Sequence, residues 1–153
     1  MPVEDEVVEE FLAVSRALVG LSVQSVAASP VEVTLVQYRV LLLLAAEGDQ
    51  QIGDIASALA VNPSNATRHC DRLQKLGLVE RRRSSTDGRV VRVALSGLGK
   101  EVVEAVSARR REEVRRVLEA MPEVDVDAVV ASLRAFSSAA GEAAAHGWVG
   151  WLG

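Results

Sequence analysis

The chain holds 153 residues at a formal charge of -4, with 49% apolar and 25% charged residues, enough to bury a continuous core and too apolar for a disordered polyelectrolyte. One cysteine, Cys70, excludes an internal disulfide and gives no sign of an oxidising compartment. The longest apolar run, Val40 to Ala46, spans seven residues against the ~20 of a membrane span, and the opening VEDEVVEE lacks a basic, apolar leader, so a cytoplasmic protein with no membrane partner is expected.

Residues 4 to 27 keep apolar groups on most sides and contain no proline, which predicts a first helix that must be covered nearly all round. Pro30 closes it. Thr34 to Gln37 reads as a capping box that opens a second helix through LVQYRVLLLLAA, and Glu47-Gly48-Asp49 stops it. Ile52 to Leu59 makes a short third helix. Asn62 then caps a fourth, with Pro63 at its first position and Gly77 past its end, so that two short helices meet at a tight turn.

From Leu78 to Leu95 the period changes from helix to strand. LVERRR and RVVRVAL flank SSTDG, whose Asp-Gly pair favours a tight turn, and together they predict a β-hairpin with a basic tip. Ser96 caps a fifth helix from Gly97 to Met121, with an apolar stripe of Val102, Val106, Val114, Val117 and Leu118. Pro122 breaks it, and Asp125 to Ala145 forms the last helix before a tail that carries Trp148 and Trp151. The fold class is mainly α with a small β-hairpin wing (α+β).

Charge is unevenly placed along these elements. Residues 1–59 carry -7, residues 60–95 carry +5 and residues 96–153 carry -2, so one basic island sits in an acidic chain. A local polyanion contact leaves such a footprint, although charge runs are also common on plain solvated surface. At ~100° per residue, Ala66, Cys70 and Leu73 share the inner face of the fourth helix. Ser64, Arg68, Asp71, Arg72 and Lys75 lie opposite, flanked by Asn65 and Thr67. Short hydrogen-bonding groups near the helix start suit base edges in a major groove, and cations further along suit phosphates. Phe11, Tyr38, Phe136, Trp148 and Trp151 all fall outside the island, which favours double-stranded DNA over base-stacked single strands.

These pieces resemble the MarR family of winged-helix transcriptional regulators along nearly the whole chain. TLVQYRVLLLL is similar to the family's second helix, IGDIASALAVNPSNATRHCDRLQKLGLVER to its helix-turn-helix, SSTDGRVVRVALS to its wing and LSGLGKE to the start of its long helix. The resemblance implies a single MarR-like domain over 1–153, made of a helical dimerisation region (4–30 and 97–145) and a winged helix-turn-helix DNA-binding region (34–95). It implies a homodimer on a pseudo-palindromic operator, with recognition-helix contacts from Ser64, Asn65, Thr67 and Arg68, supported by Arg72 and Lys75. Wing contacts fall to Arg82, Arg83 and above all Arg89, the minor-groove arginine. Asp87 is expected to brace the wing by pairing with a nearby arginine, and Gly88 stands where relatives often carry a second arginine.

The same resemblance implies repression relieved by a small phenolic or carboxylate effector, with no resident cofactor and no metal. Arg16, Arg39 and His69 are the candidate effector-binding residues, and Arg16 is equally suited to an ion pair between subunits. Two other readings compete: a winged helix that binds protein instead of DNA, and a redox regulator that senses through Cys70. Cys70 falls on the inner face of its helix, where a small unreactive residue is the norm. No P-loop, GxGxxG, HExxH, CxxC or Ser-His-Asp pattern is present to carry an enzyme reading.

Overall fold

The computed structural model describes residues 3–141, and the expected end of the last helix at Ala145 with Trp148 and Trp151 lies outside them. Six helices and one two-stranded antiparallel sheet are present among the described residues: α1 (Asp5–Ala27), α2 (Leu35–Glu47), α3 (Ile52–Leu59), α4 (Pro63–Lys75), β1 (Val79–Arg83), β2 (Val91–Leu95), α5 (Gly97–Glu119) and α6 (Val126–Ala139). The chain resolves into two compact units, Met1–Arg115 and Arg116–Gly153.

Helix starts follow the caps that the sequence supplies. At α2, the Gln37 N–H donates to Thr34 Oγ1 at 3.2 Å and the Thr34 N–H to Gln37 Oε1 at 3.0 Å, closing both halves of the capping box. At α4, Asn62 Oδ1 accepts from the Asn65 N–H at 2.8 Å, and Pro63 gives up only an N–H that had no helical partner. Ser96 Oγ accepts from the Gly99 N–H at 3.0 Å to begin α5, and Asp125 caps α6 at 3.1 Å through the Ala128 N–H.

The turn between α3 and α4 runs through Ala60, which adopts a left-handed conformation at φ 54°. Gly77 ends α4 at φ 75°, and the Leu78 N–H reaches back to the Leu73 carbonyl at 2.9 Å, so the chain leaves the helix directly into β1.

The first unit's core lies where α2, α3, α4, the hairpin and α5 meet. Leu41 of α2, Ile55 of α3, Leu73 of α4, Val93 of β2 and Val102 of α5 are fully buried there. The i, i+4, i+7 spacing that put Ala66, Cys70 and Leu73 on one face of α4 holds, for all three are buried. The hairpin pairs Val79 with Leu95, Arg81 with Val93 and Arg83 with Val91. Gln50, in the loop before α3, forms an isolated bridge on the other edge of β2 by exchanging two backbone hydrogen bonds with Val93, at 3.0 and 2.7 Å.

Three expectations need correction. The hairpin does not turn on a two-residue Asp87-Gly88 loop. Its last rung is Ser84 N–H to Val90 carbonyl, 2.8 Å, and the turn inside it closes from the Val90 N–H to the Asp87 carbonyl at 3.0 Å, centred on Gly88 and Arg89. A five-residue loop with this turn leaves Gly88 free of any positive φ, so the glycine is not demanded by backbone geometry. The α5 stripe is only partly buried: Val102 and Val106 are enclosed, whereas Val117 and Leu118 stay half exposed. The helix itself stops at Glu119, where the Ala120 N–H is shared between the Arg116 and Val117 carbonyls.

The all-round apolar character of α1 is matched by its exposure. Val7, Leu12, Val14, Leu18, Val19 and Val23 are all exposed, and only Ser25 and Val26 near its end are buried. By length and composition this 23-residue helix is also apolar enough to cross a membrane, although polar residues keep each unbroken apolar run within it short. In the second unit, α6 buries no residue and exposes Val126, Leu133 and Phe136.

Candidate nucleic-acid interface

The outer face of α4 presents Ser64, Thr67, Arg68, Arg72 and Lys75 to solvent, with Asn65 half buried among them. Their positions follow from the burial of Ala66, Cys70 and Leu73, which fixes the roll of the helix. Not all of these groups are free. The Arg68 guanidinium donates to Asn65 Oδ1 one turn back, and the Thr67 hydroxyl donates to the Pro63 carbonyl at 2.9 Å. The side chains of Arg72 and Lys75 enter no hydrogen bond or ion pair among the described residues, so their charges are available to an external anion.

In the wing the arginines divide into held and unheld groups. Arg82 pairs with Glu80 at 3.0 Å, and Arg83 donates to the Gly88 carbonyl at 2.9 Å across the tip. Arg92 donates to the Asp49 carbonyl at 3.1 Å, tying β2 to the loop before α3. Arg81 pairs with Asp71 of α4 at 2.5 Å and also donates to Gln74 Oε1. Arg89 alone among the hairpin's arginines has no side-chain partner within the described residues.

Asp87 does brace the tip, but not by the expected arginine pair. Its Oδ1 accepts from the Arg89 backbone N–H at 3.0 Å, a local Asx turn, and no ion pair reaches it among the described residues. The reason is geometric: Asp87 opens the turn whose third residue is Arg89, so the nearest donor is that amide. Arg83 supplies the cross-tip link instead.

The effector candidates are scattered. Arg16 and Arg39 are exposed and His69 is half buried, and no hydrogen bond or ion pair joins any of them among the described residues. A different cluster, which the sequence reading missed, joins α1, α2 and α5 inside the first unit. Tyr38 Oη and Ser107 Oγ share a buried 3.0 Å hydrogen bond, and the Arg110 guanidinium lies 5.2 Å from the centroid of the Tyr38 ring. Arg110 Nε donates to Ser25 Oγ at 3.1 Å, while its Nη2 is buried with no hydrogen-bond partner among the described residues. Burial pushes the Tyr38 phenol above its ordinary range, against the pull of the Ser107 hydrogen bond and the Arg110 and Arg111 charges. The available signal was the three-residue spacing of Ser107 and Arg110, which places both on one face of α5.

Cys70 is fully buried, and desolvation pushes its thiol up to about 11, with Arg81 pulling down and Asp71 pushing up. A thiol that is almost wholly protonated at neutral pH is a poor nucleophile, which weighs against oxidant sensing at this residue.

A capped helix-turn-helix followed by a basic hairpin defines the class of winged-helix DNA-binding regulators. The comparisons then give the family. The MarR family model matches residues 33–91. The HTH-type transcriptional regulator YfiV of Bacillus subtilis is 32% identical over 108 residues, covering 71% of this chain and 68% of that protein. The crystal structure of RV1404 from Mycobacterium tuberculosis superposes with a TM-score of 0.85 at 33% identity, covering 95% of this chain and all (100%) of that one. A MarR family protein from Bacillus stearothermophilus gives a TM-score of 0.73 at 25% identity, covering 92% of this chain and 98% of its own. The chain belongs to the MarR family of transcriptional regulators, whose members bind DNA and are not enzymes.

Proposed function

We propose that this regulator is a homodimeric repressor that occupies a pseudo-palindromic operator and leaves it when a small phenolic or carboxylate effector binds. The observation that carries the reading is the distribution of unpartnered cations. Arg72 and Lys75 on α4 and Arg89 at the wing tip are available, in an island of +5 within a chain of -4. Acidic surface elsewhere confines phosphate attraction to this face. Ser64, Asn65, Thr67 and Arg68 face base edges, Arg72, Lys75, Arg82 and Arg83 face phosphates, and Arg89 enters the minor groove. Work on a chromosome puts the protein in the cytoplasm.

The exposed apolar sides of α1 and α6 support the dimer, because surface of that kind is costly in water and is covered when two copies associate. This use of α1 also accounts for its membrane-like length and composition. Successive major grooves on one duplex face lie ~34 Å apart, so a dimer whose recognition helices spread by a small amount loses its fit. The unpartnered Arg110 Nη2 supports an anionic effector near Tyr38, since a buried guanidinium donor without an acceptor costs about 1–3 kcal/mol that a carboxylate would recover. Arg16, Arg39 and His69 are further candidates for effector contact.

Fluorescence anisotropy on a labelled duplex, repeated over a range of salt concentrations, tests the reading. A DNA-binding dimer loses affinity steeply as salt rises, and sedimentation gives twice the chain mass. Absence of salt-sensitive binding would favour a protein-interaction module instead.

A further inference from the structure

We infer that Arg81 is a positioning residue of the DNA interface: clamped by Asp71 and Gln74 of α4, it sets where the wing stands relative to the recognition helix and does not itself contact DNA. The inference rests on the DNA-binding reading above and goes beyond it, because it gives a task to an arginine of the basic island outside the proposed contact set and to an acidic residue of α4.

The local geometry supports this division. In β1 side chains alternate, so Arg81 shares a face with Val79, which is buried, and not with Glu80 and Arg82. Its cross-strand partner is Val93, fully buried and held by two backbone hydrogen bonds to Gln50. Arg81 therefore leaves the hairpin on its core side, and its side chain is 27% exposed against 56% for Arg82. On α4, Asp71 and Gln74 are three residues apart and so lie on one face, one turn after the other. The guanidinium bridges them, with Nη2 on Asp71 and Nη1 on Gln74. A planar fork held at two points fixes direction as well as distance, which a lysine could not do.

The charges point the same way. Asp71 stands on the phosphate-facing half of α4, where a free carboxylate would repel DNA. Pairing with Arg81 cancels it. Exposed pairs of this kind add little to folding, so the clamp's main consequence is the placement of the hairpin and of Arg89 beyond it.

Asp71→Asn and Arg81→Gln, each checked by thermal melting to be folded, separate the possibilities on a duplex selected from a random pool by the native protein. The clamp predicts that both lose affinity, by about tenfold, with the salt dependence of binding unchanged. Simple electrostatics predicts the reverse for Asp71→Asn, tighter binding through loss of a negative charge, and that result overturns the inference. So does a salt slope flattened by about 0.9 in Arg81→Gln, the mark of one lost phosphate contact.

A second measurement needs no DNA, and so distinguishes failure of the clamp from failure of the DNA-binding reading. Cys70 is the single cysteine and lies beneath this junction, close enough for the Arg81 charge to pull its thiol down. Removing that charge alone would slow modification by a thiol reagent. The clamp predicts a several-fold faster reaction in Arg81→Gln, because the hairpin lifts from α4 more often. An unchanged or slower rate overturns it.

Discussion

The Leu78 carbonyl oxygen occupies the space that a Cβ on Gly99 would need, and Leu95 Cδ1 stands only 2.7 Å from the same point. The first turn of α5 thus rests directly on the backbone that leads into β1, and the Leu78 carbonyl also accepts the Ser96 N–H at 3.1 Å. Gly99→Ala must push helix and hairpin apart. A loss of about 1–3 kcal/mol is expected, read as a lower denaturant midpoint at unchanged slope. Native-like stability would mean that α5 can shift without cost.

The two parts of the interface should fail differently. Arg89→Ala is expected to weaken binding to every duplex and to flatten the salt dependence by about 0.9. Ser64→Ala and Arg68→Ala should chiefly reduce preference for the selected duplex over random DNA, by about 1–3 kcal/mol. Competition binding with both duplexes measures this, and unchanged affinity in Arg89→Ala would remove the wing from the interface.

Ala60 is the one non-glycine residue with positive φ among the described residues. A left-handed alanine costs about 1–2 kcal/mol, whereas glycine gives back only part of that through its freer unfolded chain. Ala60→Gly should therefore raise stability by up to about 1 kcal/mol and leave DNA affinity unaltered. Thermal melting decides it, and a lower melting point would show that the Ala60 methyl is needed in the turn.

Burial pushes the Cys70 thiol from 9.0 up to about 11 in the folded chain. Its protonated form is favoured by folding, so the unfolded chain ionises first as pH rises. The stability linked to this thiol is complete below pH 9.0 and is lost on the way to about 11. Cys70→Ala has no such loss, so the stability gap between native protein and variant should narrow across that interval, as followed by denaturant midpoints. A gap that stays constant would mean that the thiol ionises alike in both states.

Much of the architecture could be read from local signals. Thr34 with Gln37, and Asn62 with Pro63, announced two helix starts because capping involves neighbours three residues apart. The inner face of α4 was legible because Ala66, Cys70 and Leu73 repeat at the helical period. The hairpin's existence was legible from its period and turn residues, but the register of its tip was not. Whether the chain turns on Asp87-Gly88 or Gly88-Arg89 depends on which rung closes last, and Ser84 with Val90 decides that.

The amino-acid sequence by itself determined the order of elements, the roll of α4 and the basic island within an acidic chain. All of these depend on residues a few positions apart, where period, caps and charge act directly. Only the tertiary structure decided which cations are available. Arg81 looks like Arg82 or Arg89 in the sequence, yet it is committed to Asp71, ten residues earlier, while Arg110 meets Ser25 across 85 residues. Pairings at such distances are set by how whole elements pack, and no local pattern encodes them.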